Sequence, residues 1–243
     1  MNTEFIFLIT SILIASSFHG TIGYGFALVS MPLITIFIPV KEATIIVLAL
    51  AFMLVLVLYL KVGKEHVKLE EIKWIIISAI VGRVIGVQML VNLNNELLQI
   101  IFGIVLVIIS IYYFYNKKIP LKYSIRNSII IGCLAGILGG LFNADGTPLV
   151  IYFLAISDDK YSYYSSLQLI FLLTLGFTLI YHFYLGNFNY FIYQRIISGF
   201  IALFAGYFIG VYFFKKINLY IIELIVKWLL LISGISILFS TIT

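Results

Sequence analysis

Two charged residues lie deep inside apolar sequence, where ionised side chains are costly and usually functional. Asp145 lies in the apolar segment 125–156, and Arg83 lies in the middle of the apolar run 72–91. A charge at the bilayer centre costs at least about 2.5–3.5 kcal/mol, so both residues are candidates for ion coupling or charge recognition. Asp145 has three interpretations: the N-cap of a following helix, a carrier of a proton or Na⁺, and the partner of Arg83. Arg83 could instead contact an anionic substrate or extend to the membrane interface.

Glycine, threonine and asparagine cluster in two stretches of apolar sequence, GTIGYG (20–25) and GGLFNADGTP (139–148). Helices that end at membrane depth expose backbone N–H groups and a positive dipole end, and glycine lets a ligand approach closely. The two stretches therefore predict a binding site for an anion. Its candidate residues are Thr21, Gly23, Tyr24, Gly25, Gly139, Gly140, Asn143, Gly146 and Thr147.

The alternative is that these glycines only allow close helix packing. Packing is the favoured interpretation for four other glycines, spaced four residues apart in two ordinary helices: Gly82, Gly86, Gly206 and Gly210. Two histidines, His19 and His182, have no partners at metal-ligand spacing, and we expect packing or interfacial roles for both. Ser165, Ser166 and Gln168 could line a polar cavity.

The composition indicates an integral membrane protein. The chain has 243 residues, of which 63% are hydrophobic and 10% charged, with a mean hydropathy of +1.17; an ordinary soluble domain has about 25% charged residues. The net charge of +5 comes from short basic clusters between apolar runs, which is typical of membrane orientation and not of nucleic-acid binding. A single cysteine, Cys133, and three scattered histidines offer neither a disulfide nor a metal site. We expect an all-α, multi-pass protein of the plasma membrane without a cofactor.

Apolar windows of about 20 residues predict six ordinary transmembrane helices, at 41–60, 72–91, 96–115, 160–185, 191–214 and 219–240. Two further segments, 5–38 and 125–156, contain 34 and 32 residues. As straight helices these would be about 50 Å long, against a hydrocarbon core of about 30 Å. Each is too long for one span and short for two, and each is interrupted near its middle. A broken backbone at membrane depth survives only where it is buried in protein or lines a cavity, which favours a site at each break.

Matching motifs indicate that the chain is an internal duplication. Glycines and a proline recur at an offset of 116, where Gly20, Gly23 and Pro32 match Gly136, Gly139 and Pro148. GRVIGV (82–87) matches GYFIGV (206–211) at an offset of 124. The sequence therefore predicts two transmembrane repeats, 1–118 and 119–243, within a single membrane domain. Each repeat would hold one broken element followed by three helices.

The distribution of basic residues favours re-entrant hairpins for both broken elements. If both elements crossed the membrane once, giving eight spans, the basic residues would divide eight against four; with two hairpins they divide eleven against two. The positive-inside rule favours the more unequal division. Three spans between the hairpins would invert the two halves, as in many secondary transporters, whose site lies at the midplane between broken helices.

The stretches GTIGYGFALVSMPL and GILGGLFNADGTPLVIYFLA resemble the two glycine signatures of the sulfite exporter TauE/SafE family of membrane permeases. The polar-headed helix YSYYSSLQLIFLL and Gly186 also fit, and the resemblance covers nearly the whole chain. It implies a transporter for a small anion such as sulfite, a sulfonate or a related organic anion. The chain departs from the family pattern at Asp145, where many relatives carry glycine, and at Arg83. Either Asp145 is protonated or neutralised during the cycle, or the substrate is less anionic than sulfite.

The sequence therefore favours a secondary carrier that moves a small anion by alternating access of two inverted halves. Its expected partners are the anionic substrate and the lipid bilayer; a coupling ion (a proton or Na⁺) and a homo-oligomer stay open. One alternative is a non-transporting membrane scaffold or assembly factor. A membrane-embedded enzyme is less favoured, because the sequence has no H-E-x-x-H or G-x-S-x-G motif and no paired acids in the membrane.

The hairpin interpretation predicts which loops face the cytoplasm. The segments 61–73, 116–126, 157–160 and 215–216 should lie there, with both termini outside. Lys160→Cys and Lys216→Cys, each in a Cys133→Ser background, should resist a membrane-impermeant maleimide in intact cells and react after permeabilisation. Labelling of both positions from outside would exclude the hairpins and restore eight spans.

Overall fold

The computed structural model describes residues 3–22, 24–62, 67, 69–115, 121–157, 159–213 and 219–242. Within these ranges the chain forms ten α-helices and no strand. They are α1 (Thr3–Ile22), α2 (Phe26–Ile34), α3 (Val40–Val62), α4 (Leu69–Asn92), α5 (Asn95–Tyr115), α6 (Ile125–Phe142), α7 (Gly146–Ile156), α8 (Lys160–Tyr184), α9 (Tyr190–Phe213) and α10 (Leu219–Ile242). The all-α prediction is confirmed, and the six ordinary helices match their predicted limits to within less than one helical turn.

Seven of these helices, α3 to α6 and α8 to α10, are long and apolar enough to cross a membrane. Large aliphatic side chains are exposed on their outer surfaces; Leu60, Ile180 and Ile201 are all more than 70% exposed. So many exposed hydrophobic residues would be unfavourable in water but are compatible with lipid. The prediction of a multi-pass membrane protein is confirmed.

Each of the two segments that were too long for one span is a long helix followed by a short one. α1 has 20 residues and α2 has nine, while α6 has 18 and α7 has 11. The breaks, between α1 and α2 and between α6 and α7, fall inside the two predicted stretches and near the middle of each segment, as predicted. At 1.5 Å per residue, α2 is about 14 Å and α7 about 17 Å long, so neither crosses a hydrocarbon core alone.

Residues in the left-handed backbone conformation make both breaks. Gly25, the N-cap of α2, has φ 89°, and Asn143, the C-cap of α6, has φ 54°. Glycine adopts this conformation without a steric penalty and asparagine tolerates it better than most residues. The backbone N–H of Asn143 bonds to the carbonyl of Gly139 at 3.0 Å, so the reversal also satisfies part of the end of α6.

One compact unit comprises Met1–Val47, Asn92–Lys117 and Tyr190–Thr243. In it α1 packs along α9, α2 packs on α1 and α10, and α5 packs on α10. Gly206 and Gly210 of α9 lie directly against the α1 backbone, at the carbonyls of Leu13 and Ser17. The absence of a Cβ at these positions is what lets the two helices approach so closely.

The other compact unit comprises Leu48–Val91 and Lys118–Asn189. In it Gly82 and Gly86 of α4 lie against the α6 backbone, at the carbonyls of Cys133 and Ile137. The hydroxyls of Ser128 and Tyr152, 2.9 Å apart, join α6 to α7. The packing role predicted for the paired glycines of α4 and α9 is confirmed.

The two units repeat the same backbone contacts at constant offsets. Leu13 and Ser17 of α1 correspond to Cys133 and Ile137 of α6 at an offset of 120, and the paired glycines of α4 and α9 correspond at an offset of 124. An internal duplication would produce this recurrence. The contact residues of α1 and α6 correspond at an offset of 120, whereas the glycines and proline of the broken elements match at an offset of 116. Each compact unit combines helices from both predicted repeats, because α1 packs with α9 and α4 with α6.

The close approach of α4 and α6 predicts that even one methyl group at Gly82 destabilises the fold. Its Cβ would overlap the carbonyl of Cys133 and lie 3.0 Å from the Cα of Gly136, and two backbones cannot yield as a side chain can. Gly82→Ala should lower the melting temperature of the purified protein by several degrees, as expected for a cost of about 1–3 kcal/mol. Gly146→Ala is the matched control, since its Cβ would meet only the Phe171 ring, at 3.9 Å. Equal melting temperatures would refute the packing role.

Candidate functional site

A buried ion pair lies at the second helix break. Arg83 donates through Nη2 to Oδ2 of Asp145 and through Nη1 to the hydroxyl of Thr178, at 3.0 Å. Arg83 is 1% exposed and Asp145 5% exposed. Removal of either charge would leave the other buried and uncompensated, which is far more costly than the loss of a surface pair.

Of the three interpretations of Asp145, the structure shows the ion pair with Arg83. Asp145 occupies the N-cap position of α7, but its backbone is helical, with φ −69° and ψ −21°, and its side chain makes no capping hydrogen bond. An N-cap residue ordinarily has an extended backbone and a side chain that accepts from the first turn. The capping interpretation of its side chain is therefore wrong. Its negative charge still lies at the positive end of the α7 dipole.

Two of the predicted site glycines lie against α4. A Cβ at Gly139 would be 3.0 Å from Cζ and Nη2 of Arg83 and from Cβ of Asp145, so glycine here makes room for the guanidinium. A Cβ at Gly140 would be 2.7 Å from the carbonyl oxygen of Arg83 and 2.9 Å from the backbone nitrogen of Val87. Both glycines bring α4 and α6 together and so position the ion pair; their binding of a ligand stays a prediction.

The remaining candidates of the second break follow directly in the chain. Asn143 is buried at the C-cap of α6, and Gly146, half-buried, begins α7. Thr147 is buried, and its hydroxyl has no hydrogen-bond partner among the described residues. The second break therefore has a carboxylate and a buried hydroxyl group two residues apart, and α4 supplies the cation.

The first break is described only in part. Gly25 caps α2, and Tyr24 before it is half-buried. Gly23 and the side chain of Thr21 lie outside the described residues. His19, for which the sequence predicted a packing or interfacial role, is 4% exposed, and its Nδ1 accepts a hydrogen bond from the backbone N–H of Phe26 at 3.3 Å.

Sequence reasoning did not identify the role of Thr178. The buried face of α8 carries a line of polar side chains, Ser165, Ser166, Gln168, Thr174, Thr178 and His182. The signal was present in the sequence, because the last three follow one another at intervals of four residues on one helix face. Thr178 also donates to the backbone carbonyl of Thr174 at 2.7 Å, which holds its oxygen toward Arg83. Among the described residues no group of three or more His, Cys, Asp and Glu could hold a metal ion.

The fold and this site define a multi-pass membrane protein with broken helices and a buried ion pair, an arrangement typical of secondary transporters. The family model for the sulfite exporter TauE/SafE matches residues 8–237. The chain belongs to the TauE/SafE sulfite exporter family, and the resemblance seen in the sequence is confirmed. Neither a curated protein nor a solved structure matches the chain. Family membership identifies the protein as a membrane transporter of sulfite-type anions.

The buried pair predicts non-additive effects on stability. Arg83→Met and Asp145→Leu should each lower stability strongly, by about 3–5 kcal/mol, because each leaves one charge buried alone. The double variant should be more stable than the sum of the two losses predicts. Melting temperatures of the four proteins in one detergent measure this coupling. Strictly additive losses would show that the two charges do not stabilise each other.

Proposed function

We propose that this protein is a secondary carrier for sulfite, a sulfonate or a related small organic anion, and that Arg83 binds the anion. The observation that carries the proposal is the buried guanidinium at a helix break in a member of an anion-transporter family. A guanidinium presents a planar set of donors that matches two oxygens of an oxyanion. In the structure the guanidinium of Arg83 donates hydrogen bonds to Asp145 and Thr178.

Asp145 is then the group that couples anion binding to a cation. While it is ionised it holds Arg83, and an anion must compete with it for the guanidinium. Once a proton or Na⁺ neutralises Asp145, Arg83 is left without its counter-ion and can take a monoanion instead. The site carries no net charge in either state, which avoids the cost of an uncompensated charge inside the membrane.

The exchange of Asp145 for an anion as the partner of Arg83 would explain why this chain carries a carboxylate where the family pattern has glycine. A fixed negative charge would repel an anionic substrate, whereas a carboxylate that is neutralised during the cycle gives a carrier for an anion together with one positive charge. The hydroxyl of Thr147, two residues beyond Asp145 and without a partner among the described residues, can supply a further hydrogen bond to the anion.

The rest of the proposal follows the predictions from sequence. The two helix breaks supply backbone N–H groups to the substrate, and two inverted repeats, 1–118 and 119–243, alternate its access to the two sides of the membrane. The carrier resides in the plasma membrane. As a member of a transporter family it is not proposed to act as an enzyme.

The coupling role predicts a separation of two activities in Asp145→Asn. In proteoliposomes, accumulation of labelled sulfite driven by an inward proton or Na⁺ gradient should be lost, because the amide neither binds a proton nor compensates a cation. Exchange of sulfite for sulfite should persist, since exchange requires binding but no net ion movement. Arg83→Lys should impair both activities, because a single ammonium lacks the guanidinium's paired donors.

Glu4→Gln provides the matched control. It makes the same change of acid to amide at a half-exposed residue whose cationic partner, Arg195, lies 3.9 Å away. This variant should accumulate sulfite as the wild type does. Accumulation by Asp145→Asn at the wild-type level under both gradients would rule out coupling through this carboxylate, whatever the result for Arg83→Lys.

A further inference from the structure

His19 is a buried imidazole at the first break that the proposed mechanism does not use. Its Nδ1 accepts a hydrogen bond from Phe26, the first residue of α2. A backbone N–H can only donate, so Nδ1 carries no proton, and the proton of the neutral ring is on Nε2. The helix end thus fixes His19 in one tautomer, with Nε2–H as a hydrogen-bond donor.

This donor is buried and has no hydrogen-bond partner among the described residues. A buried N–H group without an acceptor is unfavourable, and such groups in folded proteins generally meet a water molecule or a ligand. A group that only donates selects a ligand that accepts, such as an oxyanion. The positive end of α2, which lies against the same ring, also favours negative charge.

The corresponding positions of the other unit support a binding role. At the offset of 120, His19 corresponds to Gly139, and at the offset of 124, Tyr207 corresponds to Arg83. In that unit the glycine leaves space for a guanidinium that donates hydrogen bonds at the second break. In this unit the residue that corresponds to Arg83 is the uncharged Tyr207, whose backbone carbonyl lies against Gly20, and the residue that corresponds to the glycine is His19. Among the described side chains, a nitrogen donor therefore lies at each break, a guanidinium at the second and a neutral imidazole at the first.

We propose that His19 is an anion-binding residue, whose Nε2–H donates a hydrogen bond to an oxygen of the transported sulfite or sulfonate. The inference rests on the proposed function, because it takes the transported anion as the ligand. Because the ring is neutral, it contributes a directed hydrogen bond without placing a second positive charge in the protein interior. A water molecule bound at Nε2 is the competing occupant.

Two substitutions of His19 separate the capping nitrogen from the donor nitrogen. In His19→Asn the side-chain oxygen can replace Nδ1 as the acceptor for Phe26, while the donor at the Nε2 position is lost. In His19→Gln the longer amide can place an N–H near the Nε2 position, while the cap is weakened. Anion binding is measured as the rise in melting temperature with increasing concentration of sodium sulfite or sodium isethionate. Sodium chloride at equal ionic strength is the reference salt.

Wild-type protein should be stabilised by sulfite or isethionate more than by chloride. His19→Asn should keep the melting temperature of the wild type without anion but need an anion concentration about tenfold to a hundredfold higher for half the effect, the loss expected for one hydrogen bond to a charged group. His19→Gln should melt earlier yet keep an anion dependence within a few-fold of the wild type. His182→Asn, which alters another buried histidine with an unpartnered Nε2, should leave the anion dependence unchanged.

Each of the other outcomes contradicts the inference. A wild-type anion dependence in His19→Asn would make His19 a helix cap with a water at Nε2, and would leave the proposed function intact. An equal loss in His182→Asn would show a general effect of removing a buried imidazole. If His19→Asn does not fold, a tenfold or greater loss of anion affinity in His19→Gln decides against the donor. No stabilisation of the wild type by either anion would instead defeat the proposed function.

Discussion

The end of a helix inside apolar surroundings leaves backbone N–H and carbonyl groups that have no water to bind, and this constraint shapes both halves of the protein. At the first break an imidazole accepts the leading N–H of α2. At the second, the left-handed turn at Asn143 returns two N–H groups to the carbonyls of α6, and a carboxylate lies at the start of α7. A polar side chain thus lies beside the helix end at each break, the imidazole of His19 at the first and the carboxylate of Asp145 at the second.

Small residues decide where those polar groups lie. Arg83 reaches Asp145 because α4 touches α6 backbone to backbone at Gly82 and Gly86, and because Gly139 leaves the guanidinium its space. The pairing of α1 with α9 uses the same contacts in the other unit. With larger residues at these points the helices would stand farther apart, and a side chain fixed to one of them could no longer reach the break in its neighbour. Close helix packing and ligand binding are therefore compatible explanations for the glycines. Binding at the break would need the geometry that the close packing creates.

The sequence predicted the helices and both breaks because they depend on local pattern, namely the length of each apolar run and the residues that interrupt it. It also singled out Arg83 and Asp145, since a charge in apolar sequence is conspicuous without any structure. It could not choose among the interpretations of Asp145, because that choice depends on which face of α4 meets α6. The hydrogen bond of His19 could not be predicted for a similar reason. Only the turn at Gly25 brings the N–H of Phe26 back to a ring seven residues earlier.

The proposed function requires a carrier that binds an anion and also releases it, and a chemically asymmetric pair of breaks would meet both needs. Two cationic breaks would hold an anion too tightly and, without substrate, would leave uncompensated charge in the interior. Two neutral breaks would offer hydrogen bonds but no means of linking the anion to an ion gradient. In this chain Arg83 and Asp145 form a buried ion pair at the second break, and at the first break the Nδ1 of His19 accepts the leading N–H of α2. Under the proposed function the two breaks therefore divide the tasks, with exchange of a counter-ion at the second break and a directed hydrogen bond at the first.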